Sequence, residues 1–355
     1  MPALIKWGIL GLWKIAHKFA SDLILVEDCE LTAVASSNED RAKVFAKEFG
    51  VNTFYGDYES LYADNSVKII YIASLNQNHH GHVIEAIKNG KSILCEKPLA
   101  INQRQVKEMI DCAKKHKVFL MEGLWTRFNP AFEQVLQWID RGEIGKLRYV
   151  NATFSFYGLD KEFDSRLFNL KKGGGSLLDI GIYPLFLASI VMGKPKSIKA
   201  SAVVSETGVD EQIGILLTYD KSQAILYSSF SHHENMRATI CGEAGEIYLD
   251  SRWHESPNLK LVKKEESFEK TFDFLGKGYT YEILEVNQCL RNNETESSKW
   301  SLQQSLNLVK LMDEVRNQTG ILYPMDWQIR EEQKLVWCLK TFKFANLNGG
   351  CSSVG

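Results

Sequence analysis

Over the first 121 residues, short apolar runs typical of buried strands alternate with segments in which the hydrophobic residues have helical spacing. Short apolar runs such as Ile5–Leu10 and Lys68–Ala73 precede stretches with helical spacing such as Lys14–Val26 and His79–Asn89. Further strands are predicted at Leu31–Ser36, Ser92–Cys95 and Val118–Met121, and further helices at Glu39–Phe49 and from the Asn102 cap to about Lys115. This strand–helix alternation predicts an α/β domain over residues 1–123, with a parallel sheet and right-handed crossovers.

The pattern changes after Gly123. A helix at Ala131–Arg141 leads to an alternating segment at Lys146–Tyr157 and then to a glycine-rich turn and helix at Lys172–Met192. Strands follow without intervening helices at Ser197–Ser205, Glu211–Tyr219, Gln223–Ser231, Arg237–Cys241 and Glu246–Leu249, before helices near Tyr279–Arg291 and Ser301–Asn317. Residues 124–326 are therefore predicted to form an α+β domain with a large, mainly antiparallel open sheet. Residues 327–355 are a tail of uncertain order.

Composition adds constraints on partners and location. The chain has 355 residues, 45% hydrophobic and 24% charged, with a net charge of −2, which suits a two-domain globular protein and indicates no nucleic-acid partner. The uninterrupted apolar runs are shorter than the ~20 residues that span a bilayer, and the N-terminus lacks a signal-peptide pattern. Seven scattered cysteines without a Cys-x-x-Cys pair fit reduced thiols. We therefore expect a cytoplasmic protein that does not contact a membrane.

The first strand runs into a glycine turn that suits a dinucleotide. In Gly8-Ile-Leu-Gly-Leu-Trp-Lys-Ile-Ala16, Gly11 and Ala16 fit the first and last places of the usual fingerprint, but Trp13 holds the middle one. A plain strand–helix turn is the alternative interpretation. The position at the first βα turn favours a nucleotide, because a helix N-terminus supplies free N–H groups to a pyrophosphate. The candidate cofactor-binding residues of this turn are Gly8, Gly11, Leu12, Trp13 and Ile15.

The end of the second strand bears on the choice of cofactor. An acidic residue there accepts hydrogen bonds from the adenine ribose of NAD. This chain has Ser36, Ser37 and Asn38 instead, with Arg41 one helical turn later. We take all four as cofactor-binding candidates and favour NADP slightly over NAD. Arg41 as an ordinary solvated helix residue is the alternative.

Five segments, in order, carry a resemblance to a known family. They are the turn at Gly8–Ala16, Tyr71-Ile-Ala-Ser-Leu-Asn-Gln-Asn-His79, Cys95-Glu-Lys-Pro-Leu99, Glu122-Gly-Leu-Trp-Thr-Arg-Phe128 and Gly173-Gly-Gly-Ser-Leu-Leu-Asp-Ile-Gly-Ile-Tyr183. With them the chain resembles the glucose-fructose oxidoreductase, inositol dehydrogenase and rhizopine catabolism (Gfo/Idh/MocA) family, and most the branch of dimeric dihydrodiol and D-xylose dehydrogenases. The resemblance implies a Rossmann domain followed by a substrate domain. Trp13, Leu75 and Ser37 depart from the family pattern.

The resemblance implies hydride transfer between a nicotinamide and a small sugar, polyol or diol. Lys97, at a strand end, is the candidate for binding the reacting oxygen and for lowering the pKa of a nearby tyrosine, unless a carboxylate opposes it. Tyr183 is the candidate acid/base and Asp179 the orienting carboxylate; spaced four apart, they are expected on one helix face. The alternatives are a solvated lysine, a capping aspartate and a packed tyrosine.

Further pocket residues follow from the same motifs. Trp125 and Arg127 are expected to line the nicotinamide pocket, with interdomain packing as the alternative. Ser74, Asn76 and His79 are assigned to the cofactor, with a helix-start role as the alternative for Asn76 and His79. Glu96 joins Lys97 in the cofactor set. We predict no metal, because the histidines at 79, 80 and 82 have no Cys or carboxylate at ligand spacing.

Two further expectations concern the whole protein. A non-catalytic regulator that senses a dinucleotide or sugar is the alternative function, but both Lys97 and Tyr183 are present. A homodimer or higher homo-oligomer is expected, assembled through the second domain's sheet. The apolar residues proposed for that face are Val203, Ile215, Leu217, Ile225 and Tyr227.

Overall fold

The first sheet is parallel and confirms the predicted α/β architecture. A computed structural model describes residues 3–264 and 266–326. The strands are β1 (Ile5–Leu10), β2 (Cys29–Ala35), β3 (Thr53–Tyr55), β4 (Ile69–Ile72), β5 (Ser92–Glu96) and β6 (Leu120–Gly123). Their order is β3-β2-β1-β4-β5-β6. The order reverses between β1 and β4, and in such sheets a ligand binds in the crevice at the carboxyl ends of those strands.

Five helices connect these strands, and polar caps define the starts of several of them. They are α1 (Lys14–Leu23), α2 (Glu39–Phe49), α3 (Tyr58–Ala63), α4 (His79–Lys88) and α5 (Gln103–His116). The side chains of Asn38 and Asn102 accept hydrogen bonds from backbone N–H groups in the first turns of α2 and α5. The predicted bounds of α2 and the predicted Asn102 cap are both confirmed.

The second sheet is broad and mostly antiparallel, as predicted. After α6 (Pro130–Asp140), its strands are β7 (Leu147–Ser155), β8 (Ser197–Val204), β9 (Asp210–Thr218), β10 (Gln223–Ser229), β11 (Ala238–Gly242), β12 (Glu246–Leu249), β13 (Asn258–Lys263) and β14 (Glu266–Thr271). Their order is β14-β13-β12-β11-β7-β10-β9-β8. Only the β7–β10 pair is parallel among the described strand pairs of this sheet.

Four short elements were not predicted from the sequence. These are β3, α3, β13 and β14. All six residues of β14 are exposed, so that strand has no buried face to impose an apolar–polar alternation on its sequence. Its backbone bonds to β13 define it instead.

One face of the second sheet is covered by α7 (Ile182–Met192), and this corrects the proposed oligomer surface. Ile215 and Leu217 are buried in the core beneath the sheet. Val203 and Ile225 are exposed on the opposite, open face, where Tyr227 is half-buried. The period of two places neighbouring residues of a strand on opposite faces, so Leu216 belongs to the open face and Ile215 does not.

The last two helices return to the first sheet. Asn287 of α8 (Thr280–Arg291) accepts a hydrogen bond from the Trp7 indole on β1 at 3.1 Å. Asp313 of α9 (Leu302–Thr319) accepts one from the backbone N–H of Gln103 at 2.9 Å. Through these two contacts, helices of the second predicted domain pack on both faces of the first sheet. The exact domain bounds stay a prediction, as does the tail at 327–355, which lies outside the described residues.

One segment is long and apolar enough to cross a membrane. Leu170–Met192 has a mean hydropathy of 1.7 in its best window, more apolar than inspection of uninterrupted runs indicates. However, 72% of that window is buried inside the protein. The helix α7 inside this segment packs against β7, β10 and α9. Packing in the core of the second domain therefore explains why this segment is apolar.

Candidate functional site

The glycine turn after β1 has the shape of a phosphate-binding loop. Gly11 has a φ of +86°, and a side-chain carbon there would lie within 2.9 Å of the backbone of Ala73 and Ser74. Only glycine fits both constraints. The turn therefore packs directly on the residues that follow β4, at the point where the strand order reverses.

The start of α1 is suited to an anion. Trp13 stands at its N-cap position and makes no side-chain capping hydrogen bond, and the first turn contains no acidic residue. The first N–H groups of α1 are therefore left for a ligand. An anion there is favoured by the helix dipole. The backbone from Gly11 through Ile15 fits a pyrophosphate, while the Leu12 side chain is buried in the core.

The end of β2 gives the predicted ribose-side residues different environments. Ser36 is buried, and its hydroxyl accepts a hydrogen bond from the N–H of Asn38 at 3.2 Å. The Asn38 side chain caps α2 by accepting from the N–H of Arg41 at 2.8 Å. Ser37 is exposed beside them. The guanidinium of Arg41 lies 4.4 Å from the centre of the Trp13 ring.

Lys97, Asp179 and Tyr183 come together at the carboxyl end of β5. The Lys97 ammonium donates a 2.6 Å hydrogen bond to the backbone carbonyl of Asp179 and lies 3.9 Å from its carboxylate. The same ammonium is 5.0 Å from the centre of the Tyr183 ring. Residues far apart in the chain thus form one cluster, as the motifs predicted.

Arg166 completes the charge arrangement, although no sequence motif pointed to it. Its guanidinium donates to the Asp179 carboxylate at 2.8 Å. Burial alone would raise the pKa of Asp179, but the charges of Arg166 and Lys97 outweigh this and hold it below its usual value. Asp179 is therefore an ionised carboxylate between two cations. Arg166 lies in an exposed, charge-rich loop with no recognisable motif, so its role had no sequence signal.

The Tyr183 hydroxyl is oriented by an indole. Trp125 donates a hydrogen bond from its ring N–H to the Tyr183 oxygen at 2.9 Å. Burial raises the pKa of Tyr183 well above its usual value, and the nearby charge of Glu96 raises it further, while the Trp125 bond opposes both. The sequence left open whether Lys97 lowers the pKa of Tyr183 enough to give a phenolate. In the structure the pKa of Tyr183 is raised instead. Tyr183 is therefore a neutral phenol at neutral pH.

Burial changes the pKa of Lys97 in the opposite direction to that of Tyr183. It lowers the pKa of the ammonium, while the charges of Asp179 and Glu96 raise it in part. The lysine therefore loses its proton at a lower pH than a free lysine, and the two carboxylates limit that decrease. Glu96 is itself buried, and its carboxyl accepts hydrogen bonds from the Tyr71 hydroxyl and from the N–H of Lys97.

Aromatic rings wall this cluster, and most of them lie outside the motifs recognised in the sequence. Tyr279 stacks on Trp125 with ring centres 4.8 Å apart. His254 stacks on Phe154 at 4.3 Å and lies 5.2 Å from the Tyr183 ring. Burial lowers the pKa of His254 to about 3, so its ring is neutral. The cluster therefore faces an apolar surface that suits the carbon skeleton of a small ring or chain.

The glycine triplet before Asp179 positions the segment that carries the cluster. Gly175 has a φ of +110°, and a side chain there would collide with the Asp210 carboxylate and lie 3.0 Å from the Tyr323 hydroxyl. Asp210 in turn accepts hydrogen bonds from the Ser176 hydroxyl at 2.7 Å and from the N–H of Leu177 at 2.6 Å. A single π-helical turn, Leu177–Gly181, then presents Asp179 and leads into α7. Such turns often occur at functional sites.

Two predicted cofactor residues, Gly8 and His79, are enclosed by other parts of the protein. His79 is fully buried, and its ring nitrogens lie 2.9 Å and 3.1 Å from the carbonyl oxygens of Pro98 and Ser74. Gly8 lies within β1, and a side-chain carbon added there would lie 3.0 Å from both Leu61 and Val67. In this structure these residues support the loop after β4 and the packing of α3, and their assignment to the cofactor stays a prediction.

Two more of the predicted pocket residues bond to protein groups in this structure, and their assignment to the cofactor stays a prediction. Arg127 donates to the carbonyl of Lys299 at 2.9 Å and to Glu133 at 2.7 Å, and both contacts lie within the predicted second domain. Asn76 donates to the carbonyl of Gly173 at 3.2 Å and so ties the first domain to the glycine triplet.

The histidines at 79, 80 and 82 diverge. His80 pairs with Glu108 at 2.8 Å, and His82 lies 2.7 Å from the Tyr62 hydroxyl. Within residues 3–264 and 266–326, no group of three or more His, Cys, Asp or Glu side chains is arranged to hold a metal ion. The three histidines that suggested a metal therefore each contact a different part of the protein.

Comparison with known proteins places the chain in a family. Residues 5–124 match the model of the oxidoreductase family with an NAD-binding Rossmann fold, and residues 132–248 match the GFO/IDH/MocA C-terminal domain. The trans-1,2-dihydrobenzene-1,2-diol dehydrogenase of Xenopus tropicalis is 36% identical over 332 residues, which cover 90% of this chain and 99% of that protein. The human enzyme of the same name is 33% identical over 338 residues, with 91% and 99% covered.

Solved structures agree on the fold. A 3-ketoreductase from Actinomadura kijaniata in complex with NADP and TDP-benzene has a TM-score of 0.80 at 24% identity, covering 89% of this chain and 98% of that one. An aldose-aldose oxidoreductase from Caulobacter crescentus, complexed with glycerol, has a TM-score of 0.82 at 21% identity with the same coverage. The resemblance found in the motifs is thereby confirmed. This chain belongs to the GFO/IDH/MocA family of NAD(P)-dependent oxidoreductases.

Proposed function

We propose that this oxidoreductase interconverts a secondary hydroxyl and a carbonyl on a small cyclic diol or sugar, with trans-dihydrodiols as the first class to test. The observation that carries the proposal is the convergence of Lys97, Asp179 and Tyr183 beside a wall of aromatic rings. The relatives named as trans-dihydrodiol dehydrogenases support the choice of substrate class. The neutral His254 ring and the stacked Trp125 and Tyr279 suit an unsaturated carbocycle.

Three side chains have separate roles in the proposed proton transfer. In reduction, the Lys97 ammonium donates a hydrogen bond to the carbonyl oxygen, and the Tyr183 phenol transfers its proton to that oxygen. The bound nicotinamide supplies the hydride in this direction and accepts it in the other. Trp125 keeps its hydrogen bond to the Tyr183 oxygen and so stabilises the phenolate that remains. In oxidation the substrate's hydroxyl proton passes to the Tyr183 oxygen after the phenol has lost its own proton, and the raised pKa of Tyr183 places that ionisation on the alkaline side.

The dinucleotide is proposed to be NADP(H) in preference to NAD(H). The end of β2 carries Ser36, Ser37 and Asn38, with no carboxylate at these three positions to bind a 2′-hydroxyl, while Glu39, Asp40 and Arg41 follow in the first turn of α2. The 3-ketoreductase with the same fold was solved with NADP. Dissociation constants measured for both reduced cofactors test this. Binding of NADH more than about tenfold tighter, roughly 1.4 kcal/mol, contradicts it.

A substrate screen tests the activity itself. Purified protein is given trans-dihydrodiols, aldoses and polyols with each oxidised cofactor, and reduced nicotinamide is followed by absorbance. Turnover of a dihydrodiol that Lys97→Met abolishes supports the proposal. Binding of cofactor without turnover of any of these classes contradicts it and favours a regulator that senses a dinucleotide or sugar. We also propose a cytoplasmic location; the five described cysteines are free thiols, which suits a reducing compartment.

A further inference from the structure

Arg316, Asp313 and Asp326 form a buried ion network behind the reacting cluster. The Arg316 guanidinium on α9 donates hydrogen bonds to both carboxylates, and all three side chains are buried. Charged groups inside a protein are stable only when further hydrogen bonds satisfy them. The other partners of this network therefore indicate which parts of the fold it holds in place.

On one side the network binds the start of α5. Asp326 accepts a hydrogen bond from the Asn102 side chain at 2.8 Å. Asp313 accepts one from the backbone N–H of Gln103 at 2.9 Å. Both donors follow Lys97 closely in the chain. This side of the network therefore fixes the end of the segment that carries Lys97.

On the other side the network holds Tyr323. The backbone N–H of Tyr323 donates to Asp326 at 2.9 Å, and the Arg316 guanidinium lies 5.1 Å from the centre of the Tyr323 ring. The buried hydroxyl of Tyr323 donates a hydrogen bond to the carbonyl of Gly174. Gly174 belongs to the glycine triplet that leads to Asp179, so the network reaches both segments of the reacting cluster.

The two segments meet where Lys97 contacts Asp179. The Lys97 ammonium donates to the backbone carbonyl of Asp179 at 2.6 Å and lies 3.9 Å from its carboxylate. The attraction between the two charges weakens as that distance grows. A displacement of about 1 Å at a reacting group can lower a rate about 10²-fold. A group that fixes the spacing of the two segments therefore affects the chemistry.

Resting on the proposed function, we propose that Tyr323 is a positioning residue that sets the distance between Lys97 and Asp179. The buried network holds Tyr323 in place, and the Tyr323 hydroxyl holds the glycine triplet. Tyr323 acts through the Gly174 carbonyl and the turn that presents Asp179. A purely structural role would change the stability of the protein and leave this charge pair as it is.

The ionisation of Lys97 distinguishes these two roles. Burial lowers the pKa of Lys97, and the charge of Asp179 raises it in part. The other charges that act on the ammonium are those of Glu96, Arg166 and Glu122. The titratable rings beside it, which the variants below retain, are those of His79, Tyr183 and His254. If Asp179 moves away, the pKa of Lys97 falls further, and reduction should begin to decline at a lower pH.

Tyr323→Phe is the direct test, because it keeps the ring and removes the hydroxyl. The substrate is the carbonyl product of whichever diol or sugar the natural chain oxidises. We expect kcat for reduction to fall about 10-fold to 10²-fold, with the KM for the cofactor nearly unchanged. The alkaline decline of the rate should start at a lower pH than in the natural chain. Steady-state rates of the full chain across pH measure all three quantities.

Tyr62→Phe is the matched control. Tyr62 is also a buried tyrosine, and its hydroxyl lies 2.7 Å from a ring nitrogen of His82 in the first domain. The rate and pH profile of this variant should match those of the natural chain. Thermal melts confirm that both variants are folded.

Asp326→Asn tests whether the network acts through Tyr323. The substitution keeps the shape of the side chain and removes a charge that pairs with Arg316. Alone, it should lower kcat in the same direction as Tyr323→Phe. Combined with Tyr323→Phe it should add little, because both changes interrupt the same path. Effects that multiply would show that the network does not act through Tyr323.

Two kinetic outcomes overturn the inference. One is a Tyr323→Phe variant that keeps both the rate and the pH profile. The other is a lower rate with an unshifted pH profile, which would limit Tyr323 to a structural role.

Hydrogen–deuterium exchange separates these results from a failure of the proposed function. If the natural chain turns over no diol or sugar, the proposed function is wrong. Exchange over residues 175–181 should still be faster in Tyr323→Phe than in Tyr62→Phe, because the triplet has lost its anchor. Equal exchange in the two variants would show that Tyr323 does not hold this turn.

Discussion

Lys97 is the residue on which the proposed chemistry depends most. Its ammonium reaches both Asp179 and the face of Tyr183. We expect Lys97→Met to lower turnover roughly 10²–10⁴-fold, the usual effect of losing a positioned proton-transfer or charge-stabilising group. Methionine keeps the length and apolar stem, so the thermal midpoint should change little. Steady-state rates of the variant and natural enzyme test this, and equal rates would remove Lys97 from the mechanism.

The pH dependence of reduction should report the same group. Burial lowers the pKa of Lys97, so its positive charge is present below that pKa and is lost as pH rises through it. The pKa of Tyr183 is raised, so the phenol stays protonated over the same range. Reduction should therefore be level near neutral pH and decline on the alkaline side, earlier than the ~10.4 of a free lysine. A rate that rises steadily with pH would contradict this assignment.

Tyr183 offers a second test at the level of one oxygen atom. Tyr183→Phe keeps the ring and its packing and removes the hydroxyl that accepts from Trp125. We expect kcat to fall roughly 10²–10⁴-fold while cofactor affinity stays nearly unchanged, because the dinucleotide binds mainly on the first domain. Rapid kinetics and a cofactor titration measure the two quantities. A phenylalanine variant with the natural rate and pH profile would transfer the role to Lys97 or a water.

The sequence predicted the cluster of Lys97, Asp179 and Tyr183 but not all of its surroundings. Lys97, Asp179 and Tyr183 lie in motifs whose order and spacing are readable along the chain. Arg166 and His254 reach the site only through the folded paths of a charged loop and the segment after β12, and neither belongs to a motif. His79, whose motif predicted a contact with the cofactor, is fully buried, and its ring nitrogens lie beside two backbone carbonyls.

At the scale of elements, the turn before the π-helical segment is the part most sensitive to change. Gly175→Ala should destabilise the protein by at least about 1–3 kcal/mol, since φ is positive and the added carbon meets Asp210. Activity should fall as well, because Asp179 and Tyr183 follow directly. Gly193→Ala is the matched control: φ is +73°, but nothing lies within 4 Å. Denaturant unfolding of both variants separates the collision from backbone strain; equal losses would contradict the steric explanation.

Elements were predictable where burial imposed a period on them. Helix α2 has a polar cap and a buried stripe, and its bounds were read correctly from the sequence. Strand β14 is exposed on both faces and depends on its pairing with β13, which leaves no local pattern. Strand β3 has only three half-buried residues, too few to establish an alternation.

For the whole molecule, the open face of the second sheet is the surface to explain. Ile225 is directly opposite Leu216 on one neighbouring strand and Asn151 on the other. Residues paired in this way share a face. Tyr248 lies on the same face farther along the sheet, and both Ile225 and Tyr248 are exposed. A broad sheet with apolar side chains on a face that residues 3–264 and 266–326 leave uncovered suits association with a second copy of the chain.

We therefore predict a homodimer that buries this face, by an interface in which each copy contributes the same patch. Light scattering at micromolar concentration should give twice the mass of the chain. Ile225→Asp places a charge in the centre of the face and should weaken association at least about tenfold, roughly 1.4 kcal/mol. Val44→Asp is the matched control, because Val44 is also an exposed apolar residue and lies on α2, away from this sheet. A monomeric natural chain, or equal effects of the two aspartates, would refute dimerisation through the open face.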